Sequence, residues 1–268
     1  MAAKKTKPAK KVAPAAVPEE AAGKESGVAA VDRALSILCA FTTNDTSLSL
    51  HEIAARTHLY KSTILRLVSS LERQGCMHRL EDGRYQLGPM VLHWGRVYNS
   101  SLRLDNHVIP VLTQLVQETG EGASFFVREG NVRVCLFRVN AQRAIQEYVG
   151  VGDLLPLERG AAGRILLDFA PAAIARTGAP KTSVYVSFGE TDPEVTAIAV
   201  PVFGPMEAVR GSMSISGPRN RFTKDVIENL SQRLLAAATT LSLRLGGDAR
   251  LLELDKAPLP KRRAAAAL

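Results

Sequence analysis

The stretch Ser49–Gln86, SLHEIAARTHLYKSTILRLVSSLERQGCMHRLEDGRYQ, decides the fold of its half of the chain. Ser49-Leu50-His51-Glu52 has the pattern of a capping box, in which the Ser49 hydroxyl accepts from the Glu52 amide and the Glu52 carboxylate reaches back to the Ser49 amide. A short amphipathic helix follows from Leu50 to about Thr57, with Leu50, Ile53 and Ala54 on one face. His58-Leu59-Tyr60 makes a turn, and a second helix starts near Lys61. Ile64, Leu67, Val68 and Leu71 share its buried side, leaving Lys61, Ser62, Leu65, Arg66 and Ser69 outward. Gly75 stops that helix. Cys76–Leu80 and Arg84–Leu87 then form a hairpin around Glu81-Asp82-Gly83.

A capped helix, a tight turn and a second helix with a polar, partly basic outer face make a helix-turn-helix, and the hairpin makes it winged. Such a unit lays its second helix in the DNA major groove, with the wing beside the backbone. The competing reading is a helical hairpin in an ordinary core, but capping box, turn, basic helix and hairpin occur here in one order. The DNA-binding candidates are Ser49, Lys61, Ser62, Thr63 and Arg66, with Arg79 and Arg84 on the wing. Arg66 has an alternative as an ion-pair partner of Glu72 or Asp45.

The 268 residues allow two domains, and 46% hydrophobic residues suffice for a core in each. The net charge of +8 suits a polyanionic partner, although much of the excess sits in the tails, in Lys4, Lys5, Lys7, Lys10, Lys11, Lys261, Arg262 and Arg263. Cys39, Cys76 and Cys135 are odd in number and far apart, as expected of small buried hydrophobes in a reducing compartment. Neither a signal peptide nor a membrane-spanning run is present, which predicts a cytoplasmic protein.

In chain order, residues 1–26 are expected to be a disordered basic tail, either touching phosphates or merely solubilising. A helix from about Val28 to Ala40, burying Val31, Ala34, Leu35 and Leu38, completes the DNA-binding domain at 27–88. Residues 89–103 form a linker helix whose Met90, Val91, Trp94 and Val97 meet either a second subunit or their own domain. A second domain, 104–247, opens on a helix over Asp105–Thr119 with Val108, Ile109, Leu112, Leu115 and Val116 buried. Strands are expected at Ala123–Arg128, Val132–Val139, Ala144–Val149, Thr196–Phe203 and Gly211–Ser216. Leu154–Gly160 reads as a loop, Ala161–Phe169 as a helix, and Phe222–Leu245 as a long closing helix. The fold class is α+β, with an antiparallel sheet after the winged helix. Residues 248–268 form a second disordered tail.

The second domain shows no catalytic pattern. All five histidines precede its strands, and no GxSxG, HExxH, P-loop or GxGxxG is present. Glu158, Asp168, Glu190 and Asp192 read as solvated or structural. No cofactor, metal ligand or catalytic residue is predicted. Two features stand out. Gly160-Ala161-Ala162-Gly163 opens a helix, where free amides favour an anion, unless the small residues serve only close packing. Ser212, Ser214 and Ser216 alternate on one strand, facing either solvent or a small carboxylate.

Together VDRALSILCAF, SLHEIAARTHLYKSTILRLVSSLERQG, the wing ending YQLG, LPLERGAAGRILL, IAVPVFG and SMSISGP with RFT resemble the IclR family of bacterial transcription regulators, over about Val28 to Gly247. The resemblance implies a winged-helix domain, a dimerising linker helix and a GAF-like effector domain, acting as a homodimer or homotetramer on palindromic double-stranded operators. It implies a small organic-acid effector bound by Gly160, Ala161, Ala162, Gly163, Ser214 and Ser216, and regulation, as repressor or activator, of an organic-acid or aromatic catabolic operon. The chain departs from the family pattern at Glu158 or Arg159 (a common histidine), Arg164 (a lysine), Ala197 (often a cysteine) and in a short Pro171–Ser183 segment. The alternative is a small-molecule-binding or enzymatic protein whose helix-turn-helix makes only protein contacts.

Overall fold

The computed structural model describes residues 27–248 and 252, apart from 43, 103, 146, 148, 172 and 175–181. The first expected tail, most of the second and most of the Pro171–Ser183 segment lie outside the described residues; of the second tail, Leu252 is buried in the core of the second domain, contrary to the expected disorder.

Helices α1 (Ala29–Cys39), α2 (Leu50–Thr57) and α3 (Lys61–Arg73) carry the two-stranded wing, β1 (Met77–Arg79) and β2 (Tyr85–Leu87). Ile37, Leu48, Ile53, Ile64, Val68, Met77 and Tyr85 form the core beneath, with Leu67 and Leu71 packed at its margin. The wing pairs in register Met77↔Leu87, and Leu48 bridges to Tyr85, tying the loop before α2 to the wing. Gly75 takes φ +69° where α3 ends, as the helix stop requires.

One expectation for α1 fails. Val31 and Leu35 are about half exposed, whereas Ile37 is fully buried, with Ala34 and Leu38 partly so. Two apolar stripes run along this helix, and the core takes the one through Ile37. Cys39 is likewise exposed, unlike Cys76 and Cys135.

Helix α4 (Pro89–Leu102) leads to α5 (Asp105–Thr119), where Val111 is buried and Ile109 exposed, the reverse of the expectation for Ile109. Pro110 lies inside α5 and removes one backbone donor, yet the helix continues to a left-handed Gly120 cap. The sheet comprises β3 (Gly122–Glu129), β4 (Val132–Val139), β5 (Leu154–Pro156), β6 (Tyr185–Phe188), β7 (Val195–Phe203) and β8 (Val209–Pro218). Their order is β5-β4-β3-β8-β7-β6, antiparallel throughout. None of the described residues of the expected strand Ala144–Val149 lies in a strand, and β5 occupies part of the predicted loop. With only three residues, β5 is held by pairing to Val132–Val134 rather than by its own propensity.

Helix α6 (Ala161–Asp168) packs across β7 and β8, and α7 (Lys224–Arg244) packs on α5 and β7. Period-two alternation sorts the central strands. Ile198, Val200, Met213 and Ile215 join Leu112, Leu115, Leu234 and Leu241 in one core. The intervening Ala197, Ala199, Ser214 and Ser216 pair across β7 and β8 on the other face. That second face carries the cleft described below.

Candidate DNA-binding surface and effector cleft

The capping box forms as expected. The Ser49 amide donates to Glu52 at 2.7 Å, and the Glu52 amide donates to the Ser49 hydroxyl at 3.2 Å. The backbone hydrogen bond from Ser49 is the main influence holding the Glu52 carboxyl below its ordinary range. Between α2 and α3 the chain turns on His58, in the left-handed region at φ 57°. A bidentate pair braces the unit from outside, Arg56 donating to Asp45 at 2.5 and 3.0 Å and to the Ala40 carbonyl at 2.8 Å.

Lys61, Ser62 and Arg66 are exposed on the outer face of α3, and Thr63 is half-buried beside them. The suggested ion pair of Arg66 does not form, because Asp45 is engaged by Arg56 and Arg66 has no carboxylate within 4.0 Å among the described residues. Two other candidates are committed to the fold. The Ser49 side chain is the helix cap. Arg84 donates to the Ser47 hydroxyl and carbonyl, each at 2.8 Å, and to Glu52 at 3.1 Å, clasping the wing to α2. Arg79 is exposed, its guanidinium 6.0 Å from the Tyr85 ring centroid.

The second domain holds a cleft enclosing about 450 Å³ of space, open mouth included. Phe126, Arg133, Glu147, Gly160, Ala161, Ala162, Glu190, Asp192, Ser214 and Ser216 are among its lining residues. Thus α6 and β8 do bring Gly160–Ala162 and the two serines together, although Gly163 lies behind the lining. A Cβ on Gly163 would overlap the Leu157 carbonyl oxygen, so its small size serves close packing of α6. Ser212, Ser214 and Ser216 are all buried, which rules out a solvated sheet face. Ser212 turns its hydroxyl to the Val200 carbonyl at 3.2 Å and is not part of the cleft.

Of the cleft's charged residues, Arg133 and Glu147 are not among the sequence candidates, and Glu190 and Asp192, expected as solvated or structural, line it. Arg133 of β4 is only 4% exposed, its Nη1 donates to the Pro156 carbonyl at 2.5 Å and to the Arg159 carbonyl, and its guanidinium sits 5.5 Å from the Phe126 ring centroid. Burial lowers its pKa to about 10, opposed by nearby Glu147 and Glu190, so the group stays cationic at neutral pH. Its Nε is buried without a hydrogen-bond partner among the described residues. Glu190 accepts the Gly160 amide at 2.9 Å, and Glu147 accepts from the Ser216 hydroxyl while lying 3.7 Å from Arg138. A usable signal was present in the sequence: Arg133 and Arg138 interrupt an otherwise apolar strand, VRVCLFRV, where a solvated face would show more polar residues.

Family comparisons agree with this architecture. The IclR helix-turn-helix model matches residues 30–80, and the model of the bacterial transcriptional regulator IclR C-terminal domain matches residues 97–184 and 179–243. The chain belongs to the IclR family. It is therefore a ligand-responsive, DNA-binding transcriptional regulator rather than an enzyme. Among IclR relatives, the regulator KipR of Bacillus subtilis is 27% identical over 226 residues, covering 75% of this chain and 90% of KipR. XynR of Escherichia coli is 25% identical over 246 residues, covering 82% of this chain and 98% of XynR. An IclR regulator structure from a Silicibacter species superposes with a TM-score of 0.69 at 26% identity, over 82% of this chain and 97% of that one. No helix among the described residues is long and apolar enough to cross a membrane.

Proposed function

We propose that this regulator acts in the cytoplasm as a homodimer on a palindromic operator, presenting α3 of each subunit to successive major grooves. The observation that carries this reading is the outer face of α3, where Lys61, Ser62 and Arg66 stand exposed while neighbouring Arg56 and Arg84 are tied into the fold. Lys61 contacts phosphate, Arg66 reads a base edge or a phosphate, Ser62 and Thr63 lie near the groove floor, and Arg79 follows the backbone at the wing. Ser49 and Arg84, both sequence candidates for DNA contact, act instead by holding α2 and the wing in place.

The dimer reading is supported by apolar side chains that this chain leaves uncovered. Leu92, Trp94 and Val97 are exposed on α4, as are Val28, Val31 and Leu35 at and along α1. Such faces are usual at subunit interfaces. The effector in this reading is a small molecule bearing a carboxylate, held in the cleft by Arg133 and the Ser214–Ser216 strand. It regulates by binding two dimer arrangements with unequal affinity, a coupling of about 1–3 kcal/mol. Footprinting on the DNA upstream of the protein's own gene and its neighbours tests the arrangement. Two protected half-sites about one helical turn, or a multiple of it, apart are expected; a single unpaired site contradicts the dimer geometry.

A further inference from the structure

The donors best placed to receive an incoming carboxylate are already engaged by acids of the same chain. The Gly160 amide, at the start of α6, donates to Glu190, and the Ser216 hydroxyl donates to Glu147. Arg133 is in the opposite condition. It is a buried cation held by two carbonyl oxygens, it has one N–H unsatisfied, and no carboxylate lies within 4.0 Å of it among the described residues. A buried guanidinium left without an anion is costly, and a ligand carboxylate relieves that cost.

The rest of the lining has the other sign. Glu147, Glu190 and Asp192 all face the cleft, and among the described residues Arg133 is the one cation that lines it. Arg138 offsets Glu147 in part, at 3.7 Å. The two signs lie close together, since a Cβ on Gly160 would come 3.1 Å from Arg133 Nη2 while the amide of the same residue holds Glu190 at 2.9 Å. A simple mono- or dicarboxylate that reached Arg133 would press its remaining charge, or an apolar tail, against these acids.

Building on the effector-cleft reading, we infer that the effector is a compact zwitterion of the amino-acid class, its carboxylate on Arg133 and its ammonium group toward Glu147 and Glu190. The acids that block a plain anion become the second half of the recognition. Specificity then comes from repulsion of dicarboxylates as much as from attraction of the zwitterion.

Isothermal titration of the full chain tests this with the common amino acids, β-alanine and γ-aminobutyrate, run beside succinate, butyrate and putrescine. The expected result is that at least one amino acid binds ten-fold or more tighter than any of these acids or the diamine. Glu190→Gln weakens that amino acid about ten-fold and narrows the gap to succinate; thermal unfolding verifies that the variant is folded, and Glu147→Gln repeats the test from the other acid. Binding of succinate or butyrate as tight as any amino acid overturns the charge inference but leaves the effector cleft standing. Binding of no compound overturns both.

Discussion

Glu190 Oε2 accepts the Gly160 amide at 2.9 Å, which places an acid from the loop after β6 at the start of α6. A carboxylate there offsets the positive end of the helix, which would otherwise attract a ligand anion. Gly160 itself adopts φ +80°, and a Cβ there would come 2.9 Å from Thr191 Oγ1. Gly160→Ala combines backbone strain with this clash and is expected to destabilise the effector domain by about 1–3 kcal/mol. Chemical denaturation checks it, and an unchanged midpoint would show that the loop yields freely.

Arg66 on α3 and Arg84 on the wing separate by role. Arg66→Ala should weaken operator binding by about 1–3 kcal/mol if the side chain reads a base, with thermal stability unchanged. Arg84→Ala should lower the thermal midpoint, because the clasp on Ser47 and Glu52 is lost. Running both variants through one melt and one binding curve exposes either assignment; reversal of the two effects would show that Arg84, not Arg66, touches DNA.

The Asp45–Arg56 clasp predicts an acid limb in stability. Hydrogen bonds from Arg56 hold the Asp45 carboxyl well below its ordinary value of 3.8. A depressed folded value means that the contribution is fully present above the unfolded value and is lost as pH falls through the folded one. Arg56 is more than a third exposed, so solvent screening keeps the contribution to about 1–2 kcal/mol. Denaturation between neutral pH and strong acid, for the wild type and Asp45→Asn, should show a difference that shrinks below the ordinary aspartate range. A constant difference would assign the effect to packing instead.

Trp94 is the chain's single tryptophan and is 49% exposed on α4. Its emission should shift with protein concentration as a second subunit covers it, and again when an effector moves the linker. Leu92→Glu, placing a charge on the same exposed helix, should yield monomers in sedimentation. A variant that stays dimeric would move the interface elsewhere.

The DNA-binding unit was legible because its determinants are local. A capping box, a turn and a glycine stop each act within four residues. The α1 stripe was misjudged because the helix bears two apolar faces, and only tertiary packing chooses Ile37 over Val31 and Leu35. β propensity alone marked Ala144–Val149 as a strand, whereas Leu154–Pro156 is a strand because it gains a pairing partner in β4. The serines of β8 and the start of α6 were found by spacing. Arg133 and Glu190 were not, since what makes them a site is burial and proximity across 57 residues of sequence or more, counting from 133 to 190. In isolation Glu190 looks like an ordinary surface charge, and Arg133 is marked only by the apolar strand around it.

The most direct test of the account is equilibrium binding of the purified full chain to its own upstream DNA, measured across salt against a scrambled duplex of equal length and charge, for wild type and Lys61→Ala. The account predicts selective binding whose logarithm falls linearly with the logarithm of salt, with the Lys61 variant losing about one unit of slope. Equal affinity for both duplexes at every salt, with a slope indifferent to Lys61, would contradict sequence-specific recognition of this DNA through α3.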